Sequence, residues 1–136
     1  MVRVDIVHAQ HHMPETYRDY LEGHRAVRLL KEDGAILGEL VWRVGSGHNV
    51  EITEFGIFAG NDRRKGHGTR LLTTALDDMR QYYARTNHSL RKVYLFCEER
   101  NGEARAFYEA QGFFLETVLT DFYDDGNAVM YGYIVK

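Results

Sequence analysis

The sequence predicts a single mixed α/β domain, with one central sheet of about six to seven strands and about three to four helices flanking it. Three observations lead there. The chain has 136 residues, about one domain and enough to bury a single core. Short segments of alternating apolar and polar residues recur along it, as half-buried strands require. Between Leu71 and Tyr83 the apolar spacing changes to steps of three and four residues, the period of an amphipathic helix.

The elements follow in order. Val2 to His8 alternates and reads as a strand. Met13 to Leu21 reads as a short helix, with Pro14 in its first turn and Gly23 beyond its end. Ala26 to Leu30 and Ala35 to Val44 flank Glu32-Asp33-Gly34, a strand–turn–strand hairpin. Val50 to Phe58 follows Gly45-Ser46-Gly47 as a further strand. Leu71, Leu72, Ala75, Leu76, Met79 and Tyr83 mark one helix face running to about Ala84. Val93 to Cys97 is a short apolar strand, and Gly102 to Gln111 a second long helix stopped by Gly112. Phe113 to Thr120 and Ala128 to Val135 are strands joined through Tyr123-Asp124-Asp125-Gly126. Strand, helix, three strands, helix, strand, helix and two strands make one mixed layer architecture, a single domain over residues 1–136.

Composition narrows the function. Hydrophobic residues are 44 % and charged residues 27 %, an ordinary globular balance, and the net charge of −3 argues against a general nucleic-acid grip. Cys97 is the only cysteine, so no intramolecular disulfide forms and a reducing, cytoplasmic setting is expected. "MVRVDIVHAQHHM" lacks the apolar core of a signal peptide, and no run approaches the roughly 18 apolar residues of a membrane helix. Of the seven histidines, His8, His11 and His12 have metal-like spacing but no accompanying carboxylate or thiol cluster, so no metal is expected.

"RRKGHGTRLL", Arg63 to Leu72, places a basic run and two glycines where a helix begins. Helix N-termini carry unpaired N–H groups and a partial positive charge. Gly66 and Gly68 let a bulky anion reach that backbone, Arg63, Arg64 and Lys65 add charge, and Thr69 offers a hydroxyl. The spacing is not that of a P-loop, and Leu71 stands where a dinucleotide fingerprint needs its third glycine. Taken alone, the stretch leaves a solvated basic turn equally open.

"NGEARAFYEAQGF", Asn101 to Phe113, together with Arg63-x-x-Gly66-x-Gly68, resembles the GNAT N-acetyltransferase superfamily. Asn101, Ala104, Phe107, Tyr108, Gly112 and Phe113 match the second of its motifs. The resemblance implies a sheet splayed between its central strands, and acetyl-CoA as co-substrate. It implies a pyrophosphate resting on the backbone of Arg63 through Thr69, His67 included, and a pantetheine arm beside Ile57 and Phe58. Asn101 would contact that arm or hold the strand-to-helix turn, and Phe107 and Tyr108 would lie at the sulfur end. The acceptor would be a small-molecule or peptide amine, with no nucleic acid and no membrane involved; dimers are common in the family. Two departures are present: Phe58-Ala59-Gly60 replaces a Val-x-Pro step, and Phe96 stands where some relatives carry a glutamate base.

Acetyl transfer needs a neutral amine, although a lysine-like amine has a pKa near 10.4. A base must take its proton, the oxyanion must be stabilised, and the departing thiolate must be protonated. Tyr108 is the expected acid. Strict alternation puts Glu54 on one face with Val50, Ile52, Gly56 and Phe58, which makes Glu54 the expected base, acting through a water. Other assignments of the glycine turn are a non-catalytic acyl-CoA-binding module and a nucleic-acid-binding domain.

Overall fold

The computed structural model describes residues 3–8, 24–58 and 66–136. These form one seven-stranded sheet in the order β1-β2-β3-β4-β5-β7-β6 with two helices. The strands are β1 (Arg3–His8), β2 (His24–Leu30), β3 (Ile36–Val44), β4 (Asn49–Ile57), β5 (Lys92–Glu98), β6 (Phe114–Tyr123) and β7 (Gly126–Ile134). The helices are α1 (His67–Arg85) and α2 (Gly102–Ala110). Two helices among the described residues replace the expected three to four; the helix expected at Met13 to Leu21 lies outside them.

The β2–β3 hairpin closes as its sequence requires. Gly34 takes φ +89°, its N–H donates to Lys31 C=O at 2.9 Å, and Asp33 accepts from the Ala35 N–H at 2.9 Å. Every neighbouring pair is antiparallel except β4–β5, which are parallel because α1 crosses between them.

The α1 stripe Leu71, Leu72, Ala75 and Met79 is buried on Val27, Leu29, Leu40 and Trp42 of β2 and β3. One polar group enters that interface. Asp78, 5 % exposed, accepts from Arg25 Nη2 at 2.8 Å, from Arg25 Nε at 3.0 Å and from Trp42 Nε1 at 3.2 Å. A carboxylate so bonded locks α1 in register on the sheet.

Two breaks in regularity shape the molecule. β4 pairs with β5 only from Asn49–Ile52 to Lys92–Leu95, and then the two strands part. At the same place the β3–β4 register skips Thr53: Trp42 faces Ile52 and Val41 faces Glu54. The bulge reverses the alternation of β4, since an extra residue shifts each later side chain to the other face. Val50 and Ile52 belong to the buried core, and beyond the bulge it is Phe55 and Ile57 that pack on it. The strict alternation expected for Val50 to Phe58 is therefore wrong, and Glu54 points away from the helices.

Candidate active site

Where β4 leaves β5, the chain surrounds a cleft of about 440 Å³. β4 supplies Phe55, Gly56 and Ile57, the start of α1 supplies Gly66, Gly68 and Thr69, and α2 with its cap supplies Asn101, Glu103, Ala104, Phe107 and Tyr108. Three segments distant in sequence meet there because the fork in the sheet lies between the N-termini of two helices.

The α1 wall is an open helix end. Gly66 caps it in the left-handed region, at φ +80°, with no side-chain cap and no acidic residue in the first turn. The first helical bond is Arg70 N–H to Gly66 C=O at 3.0 Å, so the amides of His67, Gly68 and Thr69 have no helical partner. A Cβ on Gly68 would lie 3.2 Å from Cε1 and Cζ of Phe107, so glycine keeps this wall clear. The Thr69 hydroxyl accepts from Gln111 Nε2 at 3.1 Å. Its own hydrogen is then directed elsewhere, because a hydroxyl has one donor. These features fit a diphosphate: bare amides, a positive helix end and an available hydroxyl.

The α2 wall explains the motif from Asn101 to Phe113. Asn101 caps the helix, its Oδ1 accepting from the Ala104 N–H at 3.1 Å. At the other end Gly112 takes φ +94°. Gly112 N–H donates to Glu109 C=O at 3.1 Å, and Phe113 N–H to Tyr108 C=O at 3.0 Å, a Schellman closure. Phe113, 3 % exposed, then packs on Tyr108 with ring centroids 5.8 Å apart. Both caps thus serve to fix Tyr108, which also meets Phe55, Phe107 and Tyr131 at centroid distances of 6.0, 5.6 and 6.2 Å. Beneath α2, Arg105 Nε donates to Tyr131 Oη at 3.0 Å, and that hydroxyl donates to Glu109 at 2.5 Å.

Tyr108 is 8 % exposed, and its hydroxyl makes no hydrogen bond among the described residues. Burial, with the nearby Cys97 thiol adding, holds its pKa well above the usual tyrosine value near 10. It remains protonated throughout the neutral range.

The other expected site residues are distributed as follows. Ile57, Gly66, Gly68, Thr69, Asn101, Phe107 and Tyr108 all line the cleft, whereas His67, although it opens α1, does not. Phe58 is 62 % exposed, and its N–H already donates to Leu37 C=O at 2.8 Å, so that amide is not open to a bound arm. Ladder alternation turns the neighbouring Ile57 N–H toward the open side instead. Glu54 is exposed and outside the cleft wall, on the face away from the helices. Arg63, Arg64 and Lys65 lie outside the described residues, as do His11 and His12. Among the described residues no group of side chains is arranged to hold a metal ion.

Sequence reasoning passed over Phe55, Gly56, Glu103 and Gln111. Phe55 was hidden by the bulge; its signal was the second apolar pair, Phe55 and Ile57, out of phase with Val50 and Ile52. Gln111 gave no signal, because its partner Thr69 is 42 positions away.

Solved structures share this architecture. An IAA acetyltransferase from Bacillus cereus superimposes with a TM-score of 0.81 at 14 % identity, covering 99 % of this chain and 100 % of that one. A Bacillus subtilis acetyltransferase in complex with CoA gives 0.78 at 14 % identity, covering 100 % of both chains. A spermidine/spermine N-acetyltransferase from Vibrio cholerae gives 0.70 at 19 % identity, covering 98 % and 92 %. At such identities the likeness is one of fold. No curated protein matches the chain in sequence. Residues 4–113 match the model of the acetyltransferase (GNAT) family, and with most of its length matched the chain belongs to that family.

Proposed function

We propose that the protein is an acetyl-CoA-dependent N-acetyltransferase that moves an acetyl group to a primary amine by direct attack in a ternary complex. The family uses acetyl-CoA. The observation that carries the reading is the convergence at one cleft of an uncapped α1 N-terminus, the unpaired edge of β4 and the Tyr108 hydroxyl.

The residues divide the work by position. The His67, Gly68 and Thr69 amides bind the diphosphate, and Gly68 leaves room for it. Arg63, Arg64 and Lys65, which immediately precede that turn in sequence, contribute positive charge. The β4 edge from Glu54 to Ile57, released from β5, offers backbone groups to an extended amide-bearing arm, as a missing strand would. Asn101 holds the turn that aims α2 at that arm, and Phe107 shields its sulfur end. The Ile57 N–H stabilises the carbonyl oxygen as negative charge develops on it. The co-substrate supplies the activated acetyl group.

Proton handling falls to Tyr108 and Glu54. Tyr108 enters the reaction protonated and gives its proton to the departing sulfur. The burial that raises the tyrosine pKa also raises the thiolate's proton affinity, which keeps the transfer feasible. Glu54, across the fork on the other face, accepts the ammonium proton through a water as the amine approaches from that side.

The test is Tyr108→Phe, which removes one oxygen from a packed ring. A general acid contributes about 10²–10⁴ in rate, so kcat should fall by at least about a hundredfold, with the acetyl-CoA Kd within about twofold of wild type. Unchanged turnover removes Tyr108 from the chemistry. Acetyl-CoA binding with no CoA release across a broad amine panel would instead establish a non-catalytic acyl-CoA-binding module.

A further inference from the structure

The face of the sheet opposite the helices carries a feature that the cleft does not use. Phe96 is the first residue of β5 beyond its last pairing with β4, and Glu54 is the second on β4. Val93 and Leu95 face the core, so Tyr94 and Phe96 face the other way. Phe122 of β6 stacks on Phe96 with centroids 5.6 Å apart and planes 13° from parallel, and Tyr94 meets Phe96 edge-on at 6.1 Å. Phe122 nevertheless remains 53 % exposed. An aromatic platform therefore lies open at the mouth of the fork, beside the proposed base.

The backbone is bent to place it there. The β6–β7 register breaks between Leu119 and Tyr123, and Asp121 sits at φ +52° within that break. Asn127 holds the bend: its Oδ1 accepts from the Asp121 N–H at 2.9 Å, and its Nδ2 donates to Glu99 at 3.1 Å. A left-handed aspartate in a bulge re-aims the side chain that follows it. Here that side chain is Phe122.

The charges on this face complement a cation. Arg43 is held by Glu51, Arg28 by Glu39, and Arg100 by Asp125 and Glu98. Glu54 makes no ion pair among the described residues. We infer that the acceptor is a primary amine bearing an aryl group two or three bonds from its nitrogen, the ring lying on Phe96 and Phe122 and the nitrogen directed between Glu54 and the fork. An aromatic face prefers an offset-stacked or edge-on ring over a floppy alkyl chain. The spacing carries the amine past the platform toward the strand edge. A free arylalkylamine and a peptide with an aromatic first residue share this chemistry.

This rests on the proposed transferase activity, and the experiment separates the two. CoA release by the full chain at saturating acetyl-CoA is measured with phenethylamine, a Phe-Ala amide dipeptide, butylamine and spermidine. Expected is a kcat/KM at least about tenfold higher for phenethylamine or the dipeptide than for butylamine, whichever of the two leads naming the source. Phe122→Ala, at a half-exposed position, should cut the phenethylamine-to-butylamine ratio by about three- to tenfold, the worth of one aromatic contact, and Phe122→Tyr should restore it. Butylamine or spermidine used as well as the aryl amines, or a ratio unmoved by Phe122→Ala, overturns this inference and leaves the transferase reading standing. CoA release with none of the four overturns this inference, and the transferase reading falls with it only when a broad amine panel also gives none.

Discussion

Gly66 and Gly68 occur two residues apart in one turn, yet their surroundings predict opposite consequences for the same substitution. Gly66 sits at φ +80° with nothing within 4 Å of an added Cβ, so Gly66→Ala meets only backbone strain. An L residue in the left-handed region costs about 1–2 kcal/mol. For a domain of this size that lowers Tm by roughly 3–10 °C. Gly68 has no such φ and lies in the first turn of α1, where alanine recovers up to about 1 kcal/mol of conformational entropy. Against this stands the 3.2 Å approach to the Phe107 ring, which must yield by a few tenths of an ångström. That ring is half-buried and borders the cleft, so it can move, and the net change in stability stays within about 1 kcal/mol. The new methyl group also fills part of the gap between α1 and the Phe107 ring, on the cleft wall that the co-substrate must pass to reach the amides. Losing one hydrogen bond to a charged group costs about 1.5–3 kcal/mol, a Kd for acetyl-CoA raised about 10- to 100-fold. Thermal melts without ligand and calorimetric titration with acetyl-CoA measure both quantities for both variants. Gly68→Ala binding acetyl-CoA with wild-type affinity would refute the assignment of this turn as the diphosphate cradle.

Further predictions follow from single contacts. Gln111→Glu replaces a donor to Thr69 with an acceptor, so the threonine hydroxyl should turn toward it and away from the cleft. KM for acetyl-CoA should rise more than with Gln111→Ala, while an acetyl thioester of pantetheine, which lacks the diphosphate, should show neither effect. Asp78→Ala strands the Trp42 N–H and a partly buried Arg25, costing about 2–3 kcal/mol by chemical denaturation after allowance for the exposed side of the guanidinium. The raised Tyr108 pKa sets a pH signature. Folded and unfolded chains both hold this proton below about pH 10; above it the unfolded chain releases its proton first, so stability is lost as pH rises from 10 through the folded value. In activity, Tyr108 should add no falling limb to kcat/KM below pH 10. A falling limb at pH 8–9 would remove Tyr108 as the acid.

Local order was legible because it depends on near neighbours. The Asp33-Gly34 turn, the α1 stripe and the two caps of α2 are each written within about a dozen residues, and each forms as read. The two motifs also named the cleft residues Gly66, Gly68, Asn101, Phe107 and Tyr108, since glycine and capping asparagine mark backbone needs that no other residue meets so well. What failed on β4 failed for one reason. A one-residue bulge is a property of strand pairing, set by how β3 meets β4, and its one trace within β4 is the phase shift from Val50 and Ile52 to Phe55 and Ile57.

The sequence by itself determined that this chain makes a GNAT-type sheet, and it pointed to the glycine turn and α2, which line one cleft. Tertiary structure alone decided which way each strand residue faces and what meets across the fork. It moved Glu54 to the face away from the helices, tied up the Phe58 amide on Leu37, and paired Gln111 with Thr69. It also laid Phe122 on Phe96, 26 residues apart in the chain. Those contacts depend on register and on three-dimensional closeness, and a linear string carries neither until the sheet is assembled.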